Sequence, residues 1–192
     1  VQHVWQNYGL MDNGSVWGHG TYRGNDYSAT TLHQIGGHMK DFLARQRFQA
    51  DYAALDAGQQ AMIDQAAIAE LKENRYDEAT DTLVLTAAQV HALEQIRAHW
   101  NRVFSEGDKP NAITPGVIAT EPERLRLADF FYWTAWSAGT LRPGKELTYT
   151  NNGPPDRSVG NELATEAVIW SIASLLGFMV AMGIALVAFF KF

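Results

Sequence analysis

The hydrophobic and polar positions of the chain divide it into two parts of different character. Residues 167–190, AVIWSIASLLGFMVAMGIALVAFF, contain no charged side chain, and their polar side chains are Ser171 and Ser174. A helix can satisfy a serine hydroxyl through its own backbone. Roughly 24 helical residues extend about 36 Å, which exceeds the hydrocarbon core of a bilayer at about 30 Å. Because a core helix of a soluble protein would show a polar stripe, the pattern predicts a transmembrane helix.

The part of the chain before this run shows helical periodicity in two early stretches. Apolar residues recur at helical spacing over residues 26–48, where Asp26 and Ser28 provide a helix cap, and over residues 57–74. The pair Gly36-Gly37 predicts either a weaker first helix or the close approach of another backbone. The predicted apolar face of the second helix consists of Ala61, Ile68 and Leu71.

Two further helices are predicted over residues 86–104 and 120–139. Each begins with the sequence of a capping box, in which a threonine precedes Gln or Glu by three positions: Thr86 with Gln89, and Thr120 with Glu123. The apolar stripe of the first of these helices consists of Val90, Leu93, Ile96, Trp100 and Phe104. Residues 76–85 predict a short β-hairpin. The fold class is therefore predicted to be mainly α with one short hairpin.

The segments at the two ends of this helical region lack a regular period. Residues 1–27 are rich in glycine, and residues 140–161 contain Pro154-Pro155, which favours extended chain. Because large rings are unusual in a mobile tail, we expect the first segment to be an ordered loop that packs on another surface. Its rings are Trp5, Tyr8, Trp17, Tyr22 and Tyr27. The predicted domain covers residues 1–161, and the transmembrane helix lies within residues 162–192.

Composition and charge exclude several classes of function. The chain contains no cysteine, so disulfides, thiolate metal sites and covalently attached c-type haem are excluded. Its net charge of -6 disfavours binding to nucleic acid and to an anionic membrane surface. The nearest basic residues flanking the span are Arg157 and Lys191, and their placement favours a first part outside the cytoplasm. The start at Val1 and the end shortly after Lys191 lead us to expect a piece of a longer polypeptide.

The side chains that most often carry chemistry form no recognised motif. Six histidines are present, but no zinc-protease, P-loop or nucleophile-elbow motif is found. His33 and His38 are five positions apart, so they lie on different faces of their helix, whereas His19 lies in a glycine-rich loop that a ligand could approach. The aromatic residues at 130–136 suit a domain core, a membrane interface or a contact with another subunit. The residues alone therefore indicate no reaction.

Two blocks of sequence at opposite ends of the domain resemble the quinol-dependent nitric oxide reductases. They are GSVWGHGTYRGNDYSATTLH at residues 14–33 and LADFFYWTAWSAGTLRPGKELTYTNNGPP at residues 127–155, and the predicted membrane helix follows them. The resemblance implies a cytochrome c-like domain on the periplasmic side of the bacterial inner membrane, followed by a catalytic helical bundle of the haem-copper oxidase superfamily. That bundle would hold haem b, haem b3 and non-haem iron, and would reduce two NO to N2O and water with electrons from quinol.

The same resemblance implies a role for this piece. Its domain would be a cytochrome c fold without haem that caps the catalytic bundle and shapes the access of quinol and protons. The rings of the first segment, together with Trp133 and Trp136, would fill the volume of the lost haem. Because the family's catalytic histidines and glutamates lie in later helices, no residue here is expected to be catalytic or to be assigned to quinol. The bundle and membrane lipid are the expected partners, and oligomer formation is left open.

The resemblance also points to one metal site. In cytochrome-dependent relatives, a Gly-x-Tyr helps to bind calcium at the contact with the bundle, and the matching residues here are Gly20 and Tyr22. The other calcium ligands, haem propionates and a glutamate of the bundle, are absent from this chain. Gly153 departs from the family pattern, in which a larger aromatic residue is expected. A related nitric oxide dismutase and a membrane-anchored binding or sensory module without a redox role are the alternatives.

Overall fold

The computed structural model describes residues 2–151, 155–156, 160 and 162–190. The chain separates into two compact units, residues 1–151 and 152–192, which are described separately. The elements of the first unit are α1 (Gln2–Asn7), a 3-10 turn (Leu10–Asp12), β1 (Ser15–Val16), β2 (His19–Gly20), α2 (Tyr27–Phe48), a 3-10 turn (Tyr52–Ala54), α3 (Ala57–Lys72), β3 (Tyr76–Asp77), β4 (Thr82–Leu83), α4 (Ala87–Glu106) and α5 (Glu121–Gly139). The predicted mainly helical class and the predicted hairpin, β3–β4, are confirmed. The predictions that concern Gly153, Pro154, Arg157 and Lys191 fall outside the described residues.

Three long helices, α2, α4 and α5, pack on one another and begin close to the predicted positions. Asp26 caps α2, because its carboxylate accepts a hydrogen bond from the Ala29 backbone N–H at 2.8 Å. α4 begins with the predicted capping box. The capping box predicted for α5 is wrong, since the Thr120 hydroxyl donates to the Glu123 carboxylate at 2.7 Å and caps no backbone N–H. In α2, a Cβ on either residue of Gly36-Gly37 would meet no atom within 4 Å, so no backbone approaches there.

α3 packs on the unit through a different face from the predicted one. Ile63 and Ala67 are buried, whereas Ala61 and Ile68 are exposed. Leu71, the third predicted residue, is partly buried against the core. α3 carries alanines and aliphatic residues on more than one side, so its own period does not decide which face is covered. Contacts with the rest of the unit decide it instead.

The first segment is ordered, as predicted, but it also contains short regular elements that its sequence did not indicate. α1 places Trp5 in the core. β1 and β2 pair antiparallel, with Val16 opposite His19. The two residues between these strands, Trp17 and Gly18, have φ values of 53° and 75°. Positive φ at both positions is the geometry of a tight hairpin turn whose twist matches the strands.

The described part of the predicted connector, residues 140–151, forms a loop that a buried arginine holds together. The Arg142 side chain is buried, and its Nε–H donates to the Thr148 carbonyl oxygen at 2.8 Å. Its Nη2 also donates to the carbonyl oxygen of Asn151. Hydrogen bonds of this kind offset the cost of removing a guanidinium from water, so the loop has a fixed shape up to the end of the first unit.

The described part of the second unit consists mainly of α6 (Thr165–Phe190). The Ser171 hydroxyl donates to the Ala167 carbonyl oxygen at 2.6 Å, and the Ser174 hydroxyl donates to the Ser171 carbonyl oxygen at 3.0 Å. Both serines are thus satisfied within the helix, as predicted. Among the described residues, α6 is the one helix that is long and apolar enough to cross a membrane. Its length of about 39 Å exceeds the hydrocarbon thickness of a bilayer.

Candidate functional site

Large aromatic rings fill the centre of the first unit. This aromatic core consists of Trp5, Tyr27, Trp100, Phe104 and Phe131, all of which are buried. Tyr27 stacks on Phe131, with ring centroids 4.6 Å apart and an angle of 3° between the planes. Trp5 meets these two rings edge-on at 5.6 and 5.9 Å, and Trp100 lies 5.4 and 5.0 Å from them. Each such pair adds about 0.5–1.5 kcal/mol beyond the burial of its area, so the rings stabilise the fold directly.

The polar atoms of Tyr27 and Trp100 in the aromatic core have partners inside the unit. The Trp100 Nε1–H donates to the Thr31 hydroxyl at 3.0 Å, and the Tyr27 hydroxyl donates to Asn13 Oδ1 at 2.6 Å. The Asn13 amide in turn donates to the Asn111 carbonyl oxygen at 2.7 Å. Burial raises the pKa of Tyr27 above its ordinary value, so this phenol stays protonated. These groups hold the loops of the unit together and are not free to act on a substrate.

The prediction that the rings of the first segment fill an internal volume holds for only part of them. Trp5 and Tyr27 belong to the aromatic core, and Tyr8 is partly buried against the core cluster. For Trp17 and Tyr22 the prediction is wrong, because 39% of Trp17 and 82% of Tyr22 is exposed.

The two tryptophans of α5 that were predicted to fill the same volume, Trp133 and Trp136, differ in their exposure to solvent. Trp136 is buried, but it stacks on Tyr149 at 5.5 Å. Trp133 is 47% exposed, so the prediction is wrong for it. Sequence reasoning did not assign Trp100 and Phe104 to the filled volume. The signal was present, because both lie on the predicted apolar stripe of α4.

One carboxylate anchors the glycine-rich loop to the start of α2. Asp26 Oδ2 accepts hydrogen bonds from the Ser15 hydroxyl at 2.7 Å and from the Gly18 N–H at 2.8 Å. Asp26 Oδ1 caps α2 through the Ala29 N–H. Hydrogen bonds to a charged acceptor contribute about 1.5–3 kcal/mol each, so the loop is held rigidly on the helix.

The structure places the two residues predicted to bind calcium in and just after β2. Gly20 has a φ of 137°, and a Cβ there would lie 2.4 Å from the Gly14 carbonyl oxygen, so packing alone requires glycine. The exposed Tyr22 donates its hydroxyl to the Gly18 carbonyl oxygen at 3.1 Å. Calcium takes about six to eight oxygen ligands, and the described residues contain no group of three or more His, Cys, Asp or Glu that could hold a metal. These two residues therefore do not form a calcium site by themselves.

Histidines meet between α2 and α4 without forming a metal centre among the described residues. The rings of His38 and His91 lie 6.5 Å apart, and His99 lies 3.2 Å from the amide of Gln34. Burial and then the charge of His91 lower the pKa of His38, against an opposing effect of Asp41. Burial also lowers the pKa of His99. Imidazoles held neutral in this way suit a helix–helix contact.

Two exposed features lie close to the glycine-rich loop. His19 is exposed, as its position in the loop predicted, and its Nδ1 lies 3.0 Å from the Trp17 carbonyl oxygen. An open cleft of about 210 Å³ lies between the first segment and the loop after α4, with Asp12 and Arg23 among its lining residues. Both of these charged side chains are exposed. The cleft therefore lacks the enclosed polar groups of a typical ligand site.

Exposed rings of the first segment and of α5 lie together on the surface. Trp17 and Trp133 have ring centroids 5.6 Å apart, and Trp133 stacks on Phe130 at 6.0 Å. Tyr22 joins them through its hydrogen bond to Gly18, the residue after Trp17. We call Trp17, Tyr22 and Trp133 the exposed aromatic patch; Phe130, on which Trp133 stacks, is partly buried against the core cluster.

These features define a small helical domain with a filled aromatic centre, followed in the sequence by a helix suited to a membrane. The family model of the cytochrome c-like domain of the nitric oxide reductase protein NorB matches residues 2–155. Because this match covers most of the chain, the chain belongs to that family. A search of curated proteins finds no match. Membership places the domain in a membrane-bound oxidoreductase and indicates association with a catalytic bundle.

Covalently attached haem does not fit this member of the family. A c-type haem is bonded to cysteine thiols, and the chain contains none. The centre of the domain is occupied by the aromatic core. An electron therefore cannot enter through a haem attached to this domain in that manner.

Proposed function

We propose that the chain is the N-terminal part of a quinol-dependent nitric oxide reductase. The supporting observation is the family membership combined with the absence of cysteine. A domain that cannot attach a c-type haem cannot relay an electron from a soluble cytochrome through that haem, so another carrier has to supply the electrons. Quinol dissolved in the membrane is such a carrier. Its two electrons and two protons balance the reaction, in which two NO and one quinol give N2O, water and quinone.

In this proposal the first unit is structural. It caps the catalytic bundle that holds haem b, haem b3 and non-haem iron, and it shapes the access of quinol and protons. The aromatic core supports this role, because it gives a stable body in which the buried polar atoms of Tyr27 and Trp100 are already engaged. The domain comprises residues 1–161, and residues 162–192 supply a helix on which the bundle is built. Deleting residues 162–192 should therefore prevent assembly of an active enzyme.

The deciding experiment is an assay of the complete membrane protein with two electron donors. We expect a reduced quinol analogue to support NO consumption and N2O formation, and reduced cytochrome c to support neither. The purified protein should also show b-type haem absorption. Turnover with cytochrome c alone would contradict the quinol proposal. Oxygen release from NO would identify a dismutase, and a protein without b-type haem or NO consumption would be a binding or sensory module.

We further propose that the first unit lies on the periplasmic side of the bacterial inner membrane. The proposal rests on the flanking basic residues and on the family resemblance. Protease added to intact spheroplasts should digest the first unit, whereas the unit should be protected in inverted membrane vesicles. Protection in spheroplasts would reverse the proposed orientation.

The calcium site is proposed as one shared with the bundle, to which Gly20 and Tyr22 contribute oxygen ligands. Since a side chain at position 20 would strike the Gly14 carbonyl oxygen, substitution there is not a clean test. The calcium content of the complete protein is a better measurement. We expect about one ion per polypeptide after dialysis, and a lower melting temperature after chelation that calcium restores and magnesium does not. A protein that retains no calcium would contradict this proposal.

A further inference from the structure

The exposed aromatic patch is held in place by hydrogen bonds. The Trp17 Nε1–H donates to the Thr134 carbonyl oxygen at 2.8 Å, and the Trp17 backbone N–H donates to the Ser28 hydroxyl at 3.0 Å. The Tyr22 hydroxyl is bound to the Gly18 carbonyl oxygen. Rings fixed in this way lose little conformational entropy when a partner covers them. The patch is therefore preorganised for binding.

The backbone of Trp17 is strained, although a ring that is merely exposed to water needs no strained backbone. Its φ of 53° lies in the left-handed region, where a bulky residue is a rare and costly exception. Hairpin turns of this hand usually have Asn, Asp or Gly at this position. Strained residues of this kind cluster at functional sites. Here the strained residue places an indole beside Trp133 on the surface.

We propose that the exposed aromatic patch is the surface through which the first unit docks on an uncharged, apolar surface of the membrane-embedded catalytic bundle. This inference rests on the proposed function and identifies the contact through which the domain caps the bundle. Trp and Tyr are the residues that most often dominate the binding energy of protein interfaces. The rings of Trp17 and Trp133 would be buried at the centre of the contact, and the more exposed Tyr22 would lie towards its edge.

Charge favours a protein surface over the lipid surface as the occupant. The three side chains of the patch carry no charge, so they offer no cation for lipid phosphates. The chain as a whole carries a net charge of -6, which anionic headgroups repel. An apolar protein surface needs no such cation and can bury the indoles completely.

Photo-crosslinking in the complete protein tests which partner covers the patch. Trp133 is replaced by p-benzoyl-phenylalanine, and Ile68, an exposed residue of α3, is replaced in a matched control. In lipid nanodiscs we expect cross-links from position 133 to peptides of the bundle, with a yield at least about tenfold above that from position 68. Cross-links to lipid only, cross-links to a second copy, or equal yields at both positions would overturn the proposal.

A cleavage experiment tests whether the rings hold the contact. A protease site is inserted between residues 151 and 160 of the complete protein, and the retention of the first unit on the bundle is measured after cutting. The protein with no other substitution and the Ile68→Ala variant should retain the unit, whereas Trp133→Ala should release it at least about tenfold more readily, with Trp133→Phe in between. Release from the protein with no other substitution, or retention in Trp133→Ala, would overturn the proposal.

The two proposals fail in distinguishable ways. A complete protein without b-type haem and without NO consumption contradicts the proposed function. A protein that reduces NO, but in which Trp133→Ala behaves like Ile68→Ala after cleavage, contradicts the docking surface alone. Circular dichroism of each variant before cleavage separates release from unfolding, because an unfolded unit loses its helical signal.

Discussion

The first segment and α5 each supply at least one ring to the aromatic core and another to the exposed aromatic patch, where the environments are opposite. The first segment supplies Trp5 to the aromatic core and Trp17 to the exposed aromatic patch, and α5 supplies Phe131 to the core and Trp133 to the patch. Residues two positions apart on a helix point about 200° apart, so one ring faces out when the other faces in. The number of aromatic residues in a segment therefore indicates how much apolar surface the segment carries. The direction in which the backbone points each ring determines whether that surface is buried in the core or exposed to a partner.

The largest expected effect lies in the aromatic core. Trp100→Ala should lower the free energy of unfolding of the first unit by about 3–5 kcal/mol, because it removes a buried ring and leaves a cavity. It also leaves the Thr31 hydroxyl without its donor. Urea titration with pulse proteolysis measures the unfolded fraction of the unit. As a control, Ile68→Ala on the exposed side of α3 should stay within about 0.5 kcal/mol. Equal losses in the two variants would remove the contrast between core and surface.

Removing one oxygen from the core tests whether its polar contacts matter. Tyr27→Phe should cost about 1–2 kcal/mol, because it keeps the stacked ring but leaves Asn13 Oδ1 without the hydroxyl that it accepts. The loop after α4 should become more open to protease, since Asn13 connects it to Tyr27. An unchanged unfolding midpoint would show that water replaces the hydroxyl without loss.

The histidines between α2 and α4 predict a moderate dependence of stability on pH. The pKa values of His38 and His99 lie below their ordinary value of 6.5 in the folded protein, so below this pH the unfolded chain binds protons more readily than the folded chain. Their contribution is complete above about pH 6.5 and is lost as the pH falls below that value. The charged groups that act on His38 are His91 and Asp41, and those that act on His99 are Arg102, Asp108 and His38.

Unfolding midpoints measured from pH 7.5 to pH 5 check this dependence. The double variant His38→Asn, His99→Asn should show a flatter profile than the unsubstituted protein. The exposed aromatic patch contains no histidine and no carboxylate, so Trp133→Ala should leave the shape of the profile unchanged. A profile equally steep in the double variant would assign the dependence to other groups.

The smallest effect is expected when a tyrosine hydroxyl is removed from the exposed aromatic patch, as Tyr27→Phe removes one from the core. Tyr22→Phe removes a hydroxyl that bonds the Gly18 carbonyl oxygen at an exposed position. Water can replace that hydroxyl, so the free energy of unfolding should change by less than about 0.5 kcal/mol. The same titration that measures Tyr27→Phe provides the comparison. A loss as large as that of Tyr27→Phe would mean that the patch stabilises the fold as strongly as the core does.

The sequence predicted those parts of the fold that local chemistry determines. The caps at Asp26 and Thr86 are local hydrogen bonds, so α2 and α4 begin where predicted. The uncharged run of α6 needs only its own length and composition to indicate a membrane helix. The family resemblance carried the rest of the interpretation, because no motif in the domain indicates a reaction.

The parts that were missed depend on distant contacts. α1 has only six residues, too few to be stable alone, and Trp5 joins it to Phe131 of α5. The exposure of Trp17 follows from a turn whose positive φ is typical of Asn or Gly, so a tryptophan there gave no turn signal. The choice of Ile63 over Ile68 on α3 depends on its packing with Leu55. The spacing of residues along the chain does not indicate these contacts between distant residues.

The carboxylate of Asp26 has a consequence for the motions of the domain. It binds the Gly18 amide in the loop and the Ala29 amide in the first turn of α2. If either hydrogen bond breaks, the carboxylate loses one of the donors that hold it in position, and the other hydrogen bond is weakened. Opening of the loop and fraying of the helix are therefore coupled into one cooperative event. The hairpin that carries Trp17 therefore stays ordered as long as the first turn of α2 does. A partner that binds the hairpin finds it already in its bound conformation.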